Sequence, residues 1–359
     1  MKIVQVEYWP VKMKLAEPYT IAYETIDSTT NVFLKLVTDS GPVGYGCAAP
    51  DEGVTSETSK TVLAACHDTI KPYIKGQDPL NIAYHMTQLA RQIPHQSSAL
   101  AMIDMALYDI LGKKAGLPLY KILGGYRDSI KTSITLGILS IRRTIEKATE
   151  FKQQGFKAIK IKGGQDVRLD IERVLKVREA VGPDIEIRFD ANQGFTVEET
   201  LRFVKATRNA NLALVEQPTP RDEPDLLHRV TKESHLPIMA DESLMNLKDA
   251  FRLAKGERMD MINIKLMKVG GINEAIQING VARAAGLEAM VGCMDEAALG
   301  IAAGLHFALS RPNVVYADLD GHLDLLKDPT NASVQLRGGY LYPNDAPGLG
   351  AVIKSEASI

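Results

Sequence analysis

The sequence predicts a (β/α)7β barrel of the TIM type, capped by an α+β domain that the two chain ends build together. Three observations predict it. Eight short apolar, β-branched runs recur between residues 132 and 320, and seven amphipathic stretches of helical period separate them, one unit every 25 residues or so. Before these runs, strand and helix patterns are segregated rather than alternating, as in α+β domains. The length, 359 residues, exceeds the usual single domain of about 100–200 residues and falls short of three.

In chain order, residues 30–37 (TNVFLKLV) alternate as a half-buried strand does. Asp39-Ser40-Gly41 is a turn, and residues 43–46 begin the return strand. Residues 56–74, 80–92 and 99–114 carry apolar side chains at three- and four-residue spacing, and the last stretch stops at Gly116 and Pro118. The eight barrel runs are 132–137, 156–162, 185–190, 212–217, 237–241, 261–266, 288–293 and 314–320. Helical segments fill 141–154, 168–181, 197–209, 223–234, 247–255, 272–285 and 298–310. Parallel strands covered on both faces read as such continuous apolar runs. A doubly wound open sheet is the competing arrangement, but no glycine-rich phosphate turn follows the first run. The expected division is a capping domain over 1–125, a barrel over 126–320, and a Gly/Pro-rich tail over 321–359 that packs back on the cap.

With 42 Lys+Arg against 44 Asp+Glu, the net charge of -2 supplies no basic excess for nucleic acid. Cys47, Cys66 and Cys293 lie far apart without CxxC spacing, which argues against a disulfide framework or thiolate zinc site and fits a reducing compartment. The N-terminal segment mixes charges among its apolar residues, unlike a signal peptide, and no run approaches the roughly 18 apolar residues of a membrane span. A cytoplasmic protein with no membrane partner is expected; whether it forms a homo-oligomer the sequence leaves open.

Six of the eight barrel runs carry an acid or lysine toward their C-terminal end, which buried strands tolerate only when these are paired or hold a metal. From Lys162 through Asp190, Glu216 and Asp241 to Lys265 the intervals are 28, 26, 25 and 24 residues, one barrel unit each. A shared depth in successive units brings these groups to one mouth of the barrel, the C-terminal mouth where barrel enzymes do their chemistry. Residues two apart in a strand point the same way, which pairs Lys160 with Lys162 and Asp318 with Asp320. Three carboxylates from adjacent strands suit Mg²⁺. The competing account is a buried ion-pair network of lysines with acids; three acids in register, with lysines in register on both sides, favour the metal.

The order lysine, acid, acid, acid, lysine places an amine on each side of the α-carbon of a carboxylate held at the metal. Lys160 beside Lys162 supplies a second cation that lowers a lysine's proton affinity, and the metal stabilises the ene-diolate left when the α-proton departs. Proton access from two sides suits an epimerase.

These residues resemble the muconate-lactonising subgroup of the enolase superfamily. The resemblance rests on the KxK pair at Lys160 and Lys162, DAN at Asp190, EQP at Glu216, DES at Asp241, NIKLMKVGG at Lys265, MALYDILGKKAGLPLYKILGG at 105–125 and PGLG at 347–350. Within it, DLD at Asp318 to Asp320 is similar to the dipeptide epimerases. That resemblance implies Asp190, Glu216 and Asp241 as Mg²⁺ ligands, Lys162 and Lys265 as the acid/base pair, Lys160 as supporting cation, and Asp318 with Asp320 as clamp for the α-ammonium of a dipeptide. The alternative is an o-succinylbenzoate synthase or a muconate cycloisomerase-type lyase, whose anionic substrates two facing carboxylates would repel.

Glu24, where relatives acting on Ala-Glu dipeptides look basic, joins Asp51 and Asp295 as acidic loop residues suited to a cationic substrate side chain. Solvated loop charges are the competing reading. Lys268 is expected as a loop charge beyond its strand, and His306, inside an apolar helix, as a packed or capping residue.

Overall fold

The structure is a computed structural model that describes residues 1–330, 332–351 and 353. An antiparallel sheet opens the chain, β1 (Ile3–Thr20), β2 (Thr25–Thr38) and β3 (Val43–Ala48), paired in that order. The long β1 contains Pro10 and Pro18, and it tolerates them because it is an edge strand with one side free of ladder bonds. The helix expected over 56–74 is shorter and interrupted. It starts at Ser59, behind a capping box on Thr58, and widens into a π-turn over Cys66–Ile70. Pro72 lies just beyond, and its ring cannot share a regular turn with the carbonyl four residues back.

Helix Ser97–Ala115 lies along β3 with its backbone almost touching the strand: a Cβ on Gly46 would come 1.9 Å from the Met102 carbonyl oxygen. The Glu57 carboxylate accepts hydrogen bonds from the amides of Ser98 (2.8 Å) and Ala99 (3.3 Å), covering donors that a helix start leaves open.

The strand β4 (Ile130–Lys131) leads into the barrel of β5 (Ile134–Leu136), β6 (Ala158–Lys162), β7 (Glu186–Asp190), β8 (Leu212–Glu216), β9 (Ile238–Ala240), β10 (Met261–Lys265), β11 (Glu288–Gly292) and β12 (Val314–Asp318). All eight fall within the predicted runs and pair in parallel in sequence order, and a bridge between Thr132 and Ala317 brings the ends together. Inside the barrel, Leu214, Met239, Met261, Met290 and Tyr316 form an apolar layer. The fully buried Arg188 joins it, donating to the Ala317 carbonyl (2.7 Å) and Ser133 Oγ (3.1 Å) with its guanidinium 4.7 Å from the Tyr316 ring. This layer plugs the barrel below Asp190, two residues on from Arg188, so the mouth has a floor rather than a channel.

The tail packs partly on the barrel and partly on the cap. β13 (Val334–Arg337) and β14 (Tyr340–Pro343) form a hairpin whose second strand pairs with β4, at the barrel's entrance, and not with the capping sheet. The flanking segments do reach the cap: Leu325 bridges Leu15, and the Leu349 amide donates to Asp109 Oδ1 at 2.9 Å. Residues 331, 352 and 354–359 of the expected tail lie outside the described residues.

Candidate active site

A cavity of about 120 Å³ lies where the capping domain meets the C-terminal ends of the barrel strands. Lys162, Asp190 and Glu216 are directly adjacent partners across β6, β7 and β8. Asp241 immediately follows β9, and Lys265 ends β10. For the first three, one unit of sequence has become one sideways step in register, whereas Asp241 lies two residues beyond Met239, the partner of Glu216, and Lys265 two residues beyond the position level with Asp241. Asp190, Glu216 and Asp241 are buried and offer ligand oxygens within 4.8 Å of one another.

Lys162 Nζ lies 2.8 Å from Asp190 Oδ2 at one end of the acid row, and Lys265 Nζ lies 2.8 Å from Asp241 Oδ2 at the other. Lys160 sits beneath the row, 2.9–3.0 Å from Asp190, Glu216 and Asp318. Asn263 Nδ2 donates to Glu216 Oε1 at 2.7 Å. Burial works against an ammonium at Lys160 and Lys265, but the surrounding carboxylates outweigh it and hold both above the ordinary lysine range. Burial likewise opposes the Asp241 carboxylate, and Lys265 with Lys268 overcomes it, keeping that group well below its usual range. Glu216 is pushed up to about 7, by burial first and then by Asp190.

The turns leaving these strands are strained in a way that shapes the mouth. Asn192 (φ 41°), Gln193 (φ 68°) and Gln217 (φ 32°) occupy the left-handed region without being glycine. Gly164 and Gly194 cross so closely that a Cβ on Gly194 would lie 2.1 Å from the Gly164 carbonyl oxygen, which accounts for the glycine after the KxK strand as a packing requirement. Beside the acids, Asn192 Oδ1 and Glu242 Oε2 are buried without a hydrogen-bond partner among the described residues. An all-oxygen donor set on three rigid strands, with spare polar atoms around it, fits a hard divalent cation such as Mg²⁺.

This architecture is matched along the whole chain. Residues 3–124 match the model of the mandelate racemase/muconate lactonizing enzyme N-terminal domain, and residues 143–357 that of the enolase C-terminal domain-like family. The chain belongs to the mandelate racemase/muconate lactonizing enzyme branch of the enolase superfamily. It is 41% identical to a hydrophobic dipeptide epimerase of Enterococcus faecalis, over 98% of this chain and 99% of that protein. It is 38% identical to an L-Lys-D/L-Arg epimerase of Desulforapulum autotrophicum, over 98% of this chain and 99% of that one. The solved dipeptide epimerase of Methylococcus capsulatus, complexed with Mg and the dipeptide L-Arg-D-Lys, superposes with a TM-score of 0.93 at 36% identity, covering 98% of this chain and 100% of that chain.

Within this family framework the two carboxyls of the DLD motif have different surroundings. Asp318 is buried, with Lys160 on Oδ2 and the Ser133 hydroxyl (2.6 Å) on Oδ1. Asp320 accepts the Thr135 amide (2.7 Å), and burial followed by its neighbour Asp318 pushes it up to about 7. Asp51 and Asp295 line the main cavity. Glu24 does not; it lines an adjoining outer cavity together with Glu52, Asp51 and Asp295.

Lys268 overturns the expectation of a loop charge. The helical turn Leu266–Val269 folds straight back from β10, and Lys268 becomes fully buried with its Nζ donating to the Asp241 side chain and carbonyl. Only a helical turn following Lys265 could have signalled this, and the run NIKLMK reads equally as a strand end. Glu242 was also missed as a cavity residue, because alternation along a strand would turn it away from Asp241. The strand ends at Ala240, so that rule no longer applies, and Glu242 lines the cavity with its pKa pushed to about 7 by burial and Asp241. Tyr19, from the cap, closes over Asp295 with its hydroxyl donating at 3.0 Å. His306 accepts the Tyr120 amide at 3.0 Å, a packed capping role.

Proposed function

We propose that this chain is a Mg²⁺-dependent dipeptide epimerase that inverts the α-carbon of its substrate's C-terminal residue. The observation carrying this reading is the pairing of Lys162 and Lys265 with opposite ends of a buried three-carboxylate row. A substrate carboxylate over that row presents its α-carbon between two amines, so one lysine removes the proton from one face and the other delivers a proton to the opposite face. Asp190, Glu216 and Asp241 would hold the cation, which when bound supplies positive charge that offsets the anion forming on the substrate and lowers the proton affinity of the nearby lysines.

Lys160 keeps the acid row partly neutralised from below. Asp320, with Asp318 behind it, faces the α-ammonium; a carboxyl raised to about 7 has the most to gain from an arriving cation. Tyr19, Ile21, Tyr23 and Ile26 roof the cavity and exclude water from the reacting carbon. Asp51 and Asp295, with Glu24 in the outer cavity, favour a cationic side chain on the inverted residue, in line with the relative named an L-Lys-D/L-Arg epimerase. Free Cys47, Cys66 and Cys293 support action in a reducing, cytoplasmic compartment.

Incubating the Mg²⁺-loaded enzyme with a dipeptide library in D₂O tests the reading, because turnover labels the inverted α-carbon whatever the side chains. In the variants Lys162→Ala and Lys265→Ala, epimerisation should be abolished and residual α-proton exchange confined to one substrate stereoisomer. Unchanged epimerisation in either variant removes that lysine from the mechanism.

A further inference from the structure

We infer that the cavity has a second specificity arm, on the side of the substrate's first residue, in which Asp324 selects a cationic side chain. This rests on the epimerase reading and deepens it, because the acids weighed so far for side-chain selection face the inverted residue. With the carboxylate end over Asp190, Glu216 and Asp241 and the α-ammonium at Asp320, the first residue's side chain can only leave toward the wall beyond Asp320. That wall consists of Tyr19, Thr135 and Asp324, with Leu15 and Gly321 beside them.

The same three residues also line a neighbouring cavity of about 280 Å³, which extends between the cap and the first barrel unit past Glu17, Lys147 and Glu150. Space for a long side chain therefore adjoins the point where it would emerge. The charges in this arm are predominantly acidic. Lys147 Nζ is held by Glu17 (2.7 Å) and Glu150 (3.6 Å), and Arg143 also reaches Glu17 at 3.5 Å. No ion pair holds the Asp324 carboxylate among the described residues: Lys147 acts on it through space, against the burial that raises it, but is itself tied to Glu17 and Glu150, while the Asp324 backbone carbonyl accepts the Ala16 amide at 2.8 Å. That backbone bond ties Asp324 to β1 at the cavity wall. Tyr19 is fixed too, since its hydroxyl is engaged by Asp295, and a Cβ on Gly137 would come 2.9 Å from the Tyr19 Cβ. A lysine or arginine side chain on the first residue would find its counter-charge at Asp324; an acidic one would be repelled.

The test is steady-state epimerisation by the Mg²⁺-loaded enzyme on dipeptides that share one second residue and differ in the first: Lys, Arg, Ala, Leu or Glu. The wild type should prefer Lys or Arg over Ala in kcat/KM, with Glu last. Asp324→Asn should lower the Lys-to-Ala ratio about tenfold, equivalent to about 1.4 kcal/mol, and Asp324→Lys should move Glu ahead of Lys. The preference should weaken with added salt, as it does for a partly exposed ion pair. A wild type indifferent between Lys and Ala, or an Asp324→Asn variant that loses both equally, overturns the assignment while the epimerase reading stands. If no dipeptide in the series exchanges its α-proton, the epimerase reading fails and this inference fails with it.

Discussion

Replacing Lys268 by methionine removes a buried ammonium while keeping most of the side chain's length. In the folded protein that ammonium lies against the Asp241 carboxylate and carbonyl, and 3.3 Å from the Asn263 carbonyl, with about 1% of the residue exposed. The substitution leaves Asp241 with Lys265 alone and strips its carbonyl of a donor. Breaking a buried pair from one side costs about 3–5 kcal/mol. At ~2.1 cal/mol/K of unfolding entropy per residue, a chain of 359 residues has roughly 0.75 kcal/mol/K, so Tm should fall by about 4–7 °C. The decisive assay is thermal unfolding of wild type and Lys268→Met in EDTA and again in saturating MgCl₂. A dication among the three acids takes over neutralisation of Asp241, so the loss should be full in EDTA and largely recovered in Mg²⁺. An equal loss in both buffers, or a loss under 1 °C in EDTA, would refute the assignment of Lys268 to charge neutralisation at Asp241.

Three further perturbations follow from the packing around the site. Burial raises the Asp104 carboxyl to about 8, against the amides of Ile272 and Asn273 that donate to it. A group raised in the folded state contributes stability that is full below its unfolded pKa near 4 and is lost as pH climbs toward 8. Asp104→Asn should therefore flatten the decline of Tm between pH 5 and 8, by up to ~1.4 kcal/mol per pH unit; an unaltered slope counts against that titration. Gly46→Ala drives a Cβ into the Met102 carbonyl and should cost roughly 3 kcal/mol or more, read as a lower urea midpoint, and wild-type behaviour would mean that β3 can slide on its helix. Glu57→Ala uncovers the amides of Ser98 and Ala99 and should cost about 2 kcal/mol. Faster amide exchange confined to the first turn of Ser97–Ala115 would locate the loss, and exchange unchanged there would refute the capping role.

The barrel and its acid row were legible in the sequence for a local reason. Strand burial and the repeat length of each unit are properties of consecutive residues, so the intervals joining Lys162, Asp190, Glu216, Asp241 and Lys265 already place them on successive strands near one mouth. Long-range packing decided what periodicity does not carry. Pro10 and Pro18 concealed β1, because only its edge position makes them harmless. The tail hairpin went to β4, since an unpaired strand at the barrel entrance offered it a ladder. The acids Glu24, Asp51, Asp295 and Asp324 look alike in a string of letters, and only the seating of the cap on the barrel sorts them between the main cavity and its arms. Lys268 shows the difference most directly. Three residues past Lys265 it reads as a charge in a loop, yet one helical turn buries it on Asp241, because the free energy of a charge is set by what surrounds it in space and not by its neighbours in the chain.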